Sequence, residues 1–161
     1  MGGAPQCVLR PEQTLGPFPN RSDLNRSDVR ADQQGAPLRL ELVVYRTGAC
    51  TPVENAIVEL WQCSAAGDYS EYSNFGTADQ NWLRGYQVTG ADGSVEFVTI
   101  YPGWYPGRSV HIHIRVRAEG QTFVSQLYDG IFQGGGTELM LDVVEQAGEY
   151  VATFDVALAL G

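Results

Sequence analysis

The chain of 161 residues contains two histidines, His111 and His113, with one residue between them. Apolar residues alternate with these histidines along the segment, namely Val110, Ile112, Ile114 and Val116. Such alternation is typical of a β-strand. Because residues i and i+2 of a strand project from the same face, both imidazoles are predicted to point into one space. Two neutral imidazoles that converge in this way supply half of the ligands of a metal site.

The remaining ligands have to come from other side chains with metal-binding atoms. A cupin site, which needs a third histidine and a glutamate, is excluded because the chain has no third histidine. A zinc hydrolase site of two histidines and one carboxylate stays open. Its candidate carboxylates are Asp92, Glu96 and Glu119.

Tyrosines offer a different solution, and Tyr69 and Tyr105 are the two candidates. A free phenol has a pKa of about 10 and is a poor metal ligand at neutral pH. A ferric ion changes this, because its charge keeps a phenolate deprotonated and because hard anionic oxygen suits Fe(III). Two phenolates and two imidazoles would hold Fe(III) and leave coordination positions for a substrate.

The charge of the chain limits its partners. Its formal net charge is -9, and its ten basic residues are all arginine. Nucleic acids and anionic membrane surfaces select basic patches, so neither is expected as a partner. The absence of lysine excludes a lysine Schiff base and a lysine-containing phosphate loop. No apolar run of the sequence is long enough to span a bilayer.

Short runs rich in Val, Ile, Leu and Tyr lie between Gly and Pro clusters, which predicts a chain of short strands. Asp92-Gly93 is a strong hairpin signal and predicts that the strands on either side of it pair. Residues 137–145 are predicted to form a short helix. No helix is long enough for a crossover between parallel strands, so we expect an all-β fold, an antiparallel-rich β-sandwich. The predicted strands are the histidine segment and residues 38–46, 57–61, 85–89, 95–100, 122–128 and 150–158.

The chain divides into two parts by composition. Residues 1–37 contain five prolines with scattered Arg and Asp, so neither a continuous helix nor a continuous strand is expected there. We interpret residues 1–37 as an N-terminal arm that packs near the functional site, and residues 38–161 as the catalytic β-sandwich domain. Residues 63–83 show no hydrophobic period, so we predict a long functional loop.

Four segments in order along the chain resemble the intradiol ring-cleavage dioxygenases, the family of catechol and protocatechuate dioxygenases. They are Gln-Thr-Leu-Gly-Pro-Phe (13–18), Val-Glu-Leu-Trp-Gln with Gly-Asp-Tyr (58–62 and 67–69), Thr-Ile-Tyr-Pro-Gly-Trp-Tyr-Pro with Arg-Ser-Val-His-Ile-His (99–106 and 108–113), and Ser-Gln-Leu-Tyr (125–128). Each motif alone is weak, whereas four in the correct order form a specific pattern. The resemblance implies the prealbumin-like β-sandwich of that family.

The resemblance also implies a non-haem Fe(III) site. Tyr69 and His111 match the equatorial ligands of the family, and Tyr105 and His113 match the axial ones. Arg108 matches an arginine that faces the substrate ring. The further matches are Gln126, near the metal pocket, and Thr14, Gly16 and Pro17, which line the ring site, while Trp104 is predicted to form a pocket wall.

The activity implied by the resemblance is cleavage of a catechol-type ring by dioxygen to a muconate-type diacid. In the family, the catechol binds the ferric ion through both oxygens and displaces the axial phenolate, here Tyr105, which can then accept a proton. Arg108 would stabilise negative charge on the ring. The loop between Tyr105 and Arg108 is shorter than in protocatechuate enzymes, which is expected to open the pocket. The sequence selects neither one catechol nor an oligomeric state.

The three cysteines, Cys7, Cys50 and Cys63, favour one disulfide without indicating its pairing. Together with the arm they resemble the exported, single-domain branch of the family, so we expect a secreted protein. Residues 1–4 contain no apolar signal segment, so an export signal is either absent or already removed. The sequence leaves open whether a further domain follows residue 161.

An alternative interpretation is a non-catalytic β-sandwich module that binds carbohydrate through aromatic residues of the long loop. Its candidate residues are Tyr72, Phe75 and Trp82. Such a module needs no iron, and the zinc hydrolase is the second alternative. Metal analysis separates the three interpretations, because they require iron, no metal and zinc.

Overall fold

The computed structural model describes residues 23–103, 111–128 and 142–160, which form eight β-strands and one 3₁₀ turn at Ser73–Phe75. No helix in these three ranges is long and apolar enough to cross a bilayer. The strands, numbered in chain order, are β1 Pro37–Arg46, β2 Ile57–Trp61, β3 Arg84–Val88, β4 Ser94–Ile100, β5 His111–Ala118, β6 Gln121–Tyr128, β7 Asp142–Gln146 and β8 Glu149–Leu158.

The strands form two four-stranded sheets. One sheet has the order β3-β2-β5-β6 and is called the histidine sheet, because β5 carries both histidines. The other has the order β4-β1-β8-β7 and is called the opposite sheet. Neighbouring strands are antiparallel except β1 and β8, which are parallel. The predicted antiparallel-rich β-sandwich is therefore confirmed.

The core lies between the two sheets and is formed by alternate residues of each strand. From β1, Leu38, Leu40, Leu42 and Val44 are buried, and from the histidine sheet Val58, Leu60, Ile112, Ile114 and Val116. The intervening residues of the histidine sheet, among them Trp61, His111 and His113, consequently project from its outer face. The alternation that predicted the strands thus also assigns the histidines to the side away from the core.

The predicted hairpin at Asp92-Gly93 is wrong, although the turn itself is present. Gly93 N donates to Gly90 O at 2.9 Å, and Gly93 has a φ of +74°. Gly93 O then accepts from Val44 N at 2.8 Å, and this bond continues into the pairing of β4 with β1. The turn therefore carries the chain from the histidine sheet to the opposite sheet, instead of pairing β3 with β4.

The predicted helix over residues 137–145 is also wrong where the structure describes it, because Asp142–Gln146 is β7. This strand pairs antiparallel with β8 across a two-residue turn. Both turn residues, Ala147 and Gly148, have positive φ, at 51° and 86°. Two successive positive φ values are the geometry that the right-handed twist of a hairpin favours. Ala-Gly is a weaker sequence signal for this turn than Asn-Gly or Asp-Gly, so the sequence does not indicate the hairpin of β7 and β8.

Residues 23–36, the described part of the arm, run across the edges of both sheets. Asn25 forms a bridge with Tyr86 of β3, and Asp28 forms one with Val98 of β4. β3 and β4 are each an edge strand of their sheet. This segment therefore links the two sheets along one side of the sandwich. Residues 1–22 lie outside the described residues.

Leu40→Ala should lower the free energy of unfolding by about 2–5 kcal/mol, because Leu40 is fully buried in the core and truncation leaves a cavity. Urea denaturation measures the change. Val144→Ala is the matched control: Val144 is 50% exposed, so its truncation should change the free energy by about 0.5 kcal/mol or less. Equal effects of the two substitutions would contradict the assigned core.

Candidate metal centre

The two histidine rings meet on the outer face of the histidine sheet. His111 and His113 are each only 1% exposed. Their Nε2 atoms lie 3.1 Å apart, with the ring planes at 77° and the ring centroids 4.7 Å apart. The two nitrogens therefore point at one small, buried region, as the alternation along the strand predicts.

His113 lies in a row of side chains that crosses all four strands of the sheet. Trp61 is its direct neighbour on β2, and Gln126 is its direct neighbour on β6. Arg84 of β3 continues the row beyond Trp61. The Trp61 and His113 rings stack with centroids 5.0 Å apart and an interplanar angle of 5°. The His113 ring thus packs on Trp61, and both of its cross-strand neighbours, Trp61 and Gln126, are buried.

Tyr69 lies on the loop between β2 and β3, and this loop folds over the outer face of the sheet. The Tyr69 side chain is fully buried and packs with Trp61 and Cys63. Its ring centroid is 6.2 Å from that of His113. The structure therefore brings Tyr69, one of the sequence-predicted ligands, beside the histidine pair.

Two hydroxyl side chains shape the loop around Tyr69. Ser64 Oγ accepts hydrogen bonds from the backbone N–H groups of Ala66 and Asp68, both at 3.2 Å, and so closes a tight turn before Tyr69. Thr77 Oγ1 donates to Tyr69 O at 2.5 Å from the other side. The loop predicted at residues 63–83 is thus held by specific hydrogen bonds. Backbone groups in a buried loop require such partners.

The segment before Tyr69 also contacts the segment that leads to Tyr105. Gly103 N donates to Ser64 O at 2.9 Å, and Cys63 Sγ donates to Gly103 O at 3.4 Å. A Cβ atom on Gly103 would lie 2.3 Å from Ala65 O, so no side chain fits there. Close backbone packing explains the glycine at this position.

Gln62 ties β2 to the end of β4 next to this contact. Its Nε2 donates to Ile100 O at 2.8 Å, and its Oε1 accepts from Thr99 Oγ1 at 2.8 Å. The loop that carries Tyr69 and the loop that leads to Tyr105 therefore start from two strand ends that are joined by side-chain hydrogen bonds.

Sequence reasoning missed several buried residues of this face. Glu59 is buried and forms an ion pair with Arg115, with Nε and Oε1 2.9 Å apart. The Arg115 guanidinium also lies 5.2 Å from the centre of the Trp61 ring. Glu59 and Trp61 are two residues apart on β2, so alternation places them on the face of the histidines. Arg84 had no sequence signal of its own.

Six of the predicted site residues lie outside the described residues, and their roles stay predictions. They are Thr14, Gly16 and Pro17, which precede residue 23, and Trp104, Tyr105 and Arg108, which lie between residues 103 and 111. Of the others, Tyr69, His111, His113 and Gln126 lie together on the outer face of the histidine sheet.

The carboxylates proposed for a zinc site lie elsewhere. Asp92 accepts from Ser94 in the turn before β4, Glu96 pairs with Arg39 on the opposite sheet, and Glu119 pairs with Arg46 beyond the far end of β5. Across the described ranges, no three His, Cys, Asp or Glu side chains cluster as a metal site. The zinc hydrolase interpretation therefore lacks its third ligand there.

The aromatic residues proposed for carbohydrate binding do not form an exposed platform. Trp82 is buried, and its Nε1 donates to Gln80 Oε1 at 2.6 Å. Tyr72 and Phe75 are half-buried and pack against the cluster that contains Tyr69. Tyr72 and Phe75 thus pack over the outer face of the histidine sheet, and Trp82 belongs to the core cluster, so the three rings do not present one surface to a sugar.

The cysteines differ in their chemistry. Cys50 forms a disulfide, as the expectation of one disulfide requires. Cys63 is a buried thiol outside any disulfide.

Comparison with known proteins identifies the family of the chain. A family model described as dioxygenase matches residues 16–158. The protocatechuate 3,4-dioxygenase beta chain of Burkholderia cepacia is 32% identical over 180 positions, which cover 91% of this chain and 74% of that protein. Chlorocatechol 1,2-dioxygenase of Rhodococcus opacus is 33% identical over 120 positions, covering 62% of this chain and 46% of that protein. The chain thus spans about half the length of this second relative.

Solved structures with the same fold agree with this result. An intradiol ring-cleavage dioxygenase from Tetranychus urticae superimposes with a TM-score of 0.87 and 26% identity over 95% of each chain. The dioxygenase domain of a dioxygenase carbohydrate-binding protein fusion from Streptomyces sp. SirexAA-E gives a TM-score of 0.82 and 29% identity, over 96% of this chain and 100% of that one. With two converging imidazoles beside a buried tyrosine on this fold, the chain belongs to the intradiol ring-cleavage dioxygenase family.

Proposed function

We propose that the chain is a non-haem Fe(III)-dependent dioxygenase that cleaves catechol-type rings between the two hydroxyl-bearing carbons. Both atoms of dioxygen enter the product, one carbon–carbon bond breaks, and a muconate-type diacid results. The observation that carries the proposal is the convergence of the His111 and His113 Nε2 atoms, 3.1 Å apart, in a buried region next to Tyr69.

The geometry of the imidazoles fits a bound metal ion. Two nitrogen ligands about 2.1 Å from one ion and at right angles to each other are roughly 3.0 Å apart. The separation of the two Nε2 atoms is 3.1 Å. Binding one ion through both Nε2 atoms requires both rings to carry their protons on Nδ1. His113 Nδ1 is buried.

We propose Tyr69, Tyr105, His111 and His113 as the iron ligands. When bound, Fe(III) supplies a Lewis acid that holds phenolate and catecholate oxygens and withdraws electron density from the ring. The Tyr105 phenolate oxygen accepts a proton from a substrate hydroxyl. Arg108 stabilises the negative charge that develops on the ring.

Other residues position these groups. Trp61 stacks on His113, so rotation of the imidazole is restricted, and Gln126 is the direct neighbour of His113 on β6. Thr14, Gly16, Pro17 and Trp104 are proposed to line the site of the substrate ring.

The proposed substrates are catechol, substituted or larger aryl catechols, and hydroxyquinol. We further propose that the protein is exported and acts on plant-derived phenols. Two facts support this. Cys50 is in a disulfide, which is typical of oxidising compartments, and the Streptomyces relative is described as coming from a cellulolytic bacterium. A turnover survey across catechols of increasing size tests the idea, and strict preference for unsubstituted catechol would contradict it.

The reaction itself is tested with isotopically labelled dioxygen. Iron-loaded protein incubated with catechol and ¹⁸O₂ should give a diacid that carries two ¹⁸O atoms, detected by mass spectrometry. A product without ¹⁸O, or the absence of ring cleavage for every catechol in the survey, would contradict the proposed function. Protein loaded with zinc instead of iron is the control and should consume no dioxygen.

His113→Ala should abolish iron binding, because it removes one of two buried nitrogen ligands and the stacking partner of Trp61. Tyr105→Phe should retain iron, change the colour of the iron complex and slow turnover, because one phenolate is lost. Metal analysis and visible absorption spectra measure both effects. Tyr101→Phe is the matched control: Tyr101 packs edge-on against Tyr150, with ring centroids 5.0 Å apart, and its hydroxyl is not proposed to bind the metal.

Gly103→Ala should lower turnover by roughly 10²-fold, because displacement of a catalytic group by about 1 Å can cost that much. The added Cβ would collide with Ala65 O, which is backbone and cannot rotate away. The loop that carries Tyr69 and the segment at Gly103 must therefore separate. Gly90→Ala is the control, since its Cβ would be 3.7 Å from Asp92 Oδ1, an ordinary contact. Unchanged turnover in Gly103→Ala would show that the loop contact is unimportant.

A further inference from the structure

Arg84 is a charged residue inside the protein, and the proposed reaction gives it no role. It is 1% exposed and lies on the outer face of the histidine sheet beside Trp61. Removing a guanidinium from water is costly unless hydrogen bonds and charges nearby compensate. Burial lowers the pKa of Arg84 from its ordinary value, while the Glu71 carboxylate acts in the opposite direction. A guanidinium nevertheless stays protonated at neutral pH.

The hydrogen bonds of Arg84 reach the residues that directly follow Tyr69. Its Nε donates to Ser70 Oγ at 3.0 Å, and its Nη2 donates to Ser70 O at 3.1 Å. Nε also lies 3.7 Å from Glu71 Oε1. Ser70 Oγ in turn donates to Trp82 O at 2.7 Å. The guanidinium therefore joins the backbone at Ser70, next to Tyr69, to the other end of the same loop. Arg84 directly follows that end as the first residue of β3.

The charge of Arg84 also lies close to the phenol rings of this loop. Its Cζ is 6.0 Å from the centre of the Tyr69 ring and 5.7 Å from the centre of the Tyr72 ring. A buried positive charge at this distance interacts strongly with an anion, because little water lies between them. Tyr69 becomes such an anion when it binds a metal as phenolate.

The backbone of Arg84 is itself held by the arm. Arg26 Nη2 donates to Arg84 O at 2.8 Å and to Asn81 O at 2.7 Å. The neighbouring Gly85 is packed so closely that a Cβ would lie 2.8 Å from Val29 Cγ1. A continuous set of contacts therefore runs from the arm through Arg84 and Ser70 to Tyr69.

We propose that Arg84 is a positioning residue for Tyr69: its planar fork fixes the backbone at Ser70, and its charge stabilises the Tyr69 phenolate. The proposal rests on the proposed function where it concerns the phenolate. The part that concerns the loop stands on the contacts alone. The two contributions can be separated, because lysine keeps the charge but loses the planar fork, whereas methionine loses both.

Hydrogen exchange on the metal-free full chain tests the loop part. Arg84→Met and Arg84→Lys should each speed exchange of peptides covering residues 69–77 by roughly tenfold, and leave peptides of β1 unchanged. Arg39→Met is the matched control, since Arg39 pairs with Glu96 and Glu149 on the opposite sheet. Exchange equal to wild type in both Arg84 variants would overturn the assignment of Arg84 as the anchor of this loop.

The visible spectrum of the iron-loaded protein tests the charge part. A nearby positive charge lowers the energy of the electrons that a phenolate donates to iron, so removing it should shift the phenolate band to longer wavelength. Arg84→Met should show this shift and bind iron roughly tenfold more weakly, whereas Arg84→Lys should keep the wild-type band position. A wild-type band and wild-type iron affinity in Arg84→Met would overturn the electrostatic role.

Two further results are informative. If Arg84→Met does not fold, as judged by circular dichroism, Ser70→Ala replaces it in the exchange experiment, because it removes one acceptor of the fork and keeps the charge. Ser70→Ala should speed exchange of residues 69–77 without moving the band, and unchanged exchange would count against the proposal. If wild-type protein binds no iron, the proposed function is wrong, and the exchange rates still decide the role of Arg84 in the loop.

Discussion

The site depends on keeping water away from the outer face of a β-sheet. His111 and His113 project from the side of the histidine sheet that faces away from the core, and the outer face of a two-layer sandwich is ordinarily solvated. Here both imidazoles are buried, because the loop between β2 and β3 folds back across the sheet and places Tyr69 over Trp61. The same loop therefore supplies a proposed ligand and excludes water from the two histidines.

Covering this face buries polar groups, and several of them have a defined partner. Glu59 pairs with Arg115, and the two oxygen atoms of Ser70, Oγ and the carbonyl O, accept from Arg84. Thr77 Oγ1 donates to the carbonyl of Tyr69. Because a buried polar group without a partner costs free energy, these contacts restrict the loop to one arrangement. Precise placement of Tyr69 is thus a consequence of satisfying the polar groups around it.

The local parts of this structure could be predicted from the sequence, and the non-local parts could not. Alternation of side chains identified the strands, and the position of the histidines on one face followed from it. At Asp92-Gly93 the turn was predicted correctly, but the pairing was not, because a turn signal does not determine which strand lies beside the next one. β7 was mistaken for a helix, since its pairing with β8 depends on the backbone angles of Ala147 and Gly148. Arg84 gave no signal because its burial depends on the loop that covers it.

The sandwich and its loops contribute differently to the chemistry. His113 is held by backbone pairing on both sides of β5 and His111 by pairing with β6, so the position of the proposed nitrogen ligands is a property of the sheet. Tyr69 is fixed through side-chain hydrogen bonds from strand and loop residues, so its position depends on a few individual contacts. Variation in the loops can consequently change the environment of Tyr69 while the histidine pair stays in place.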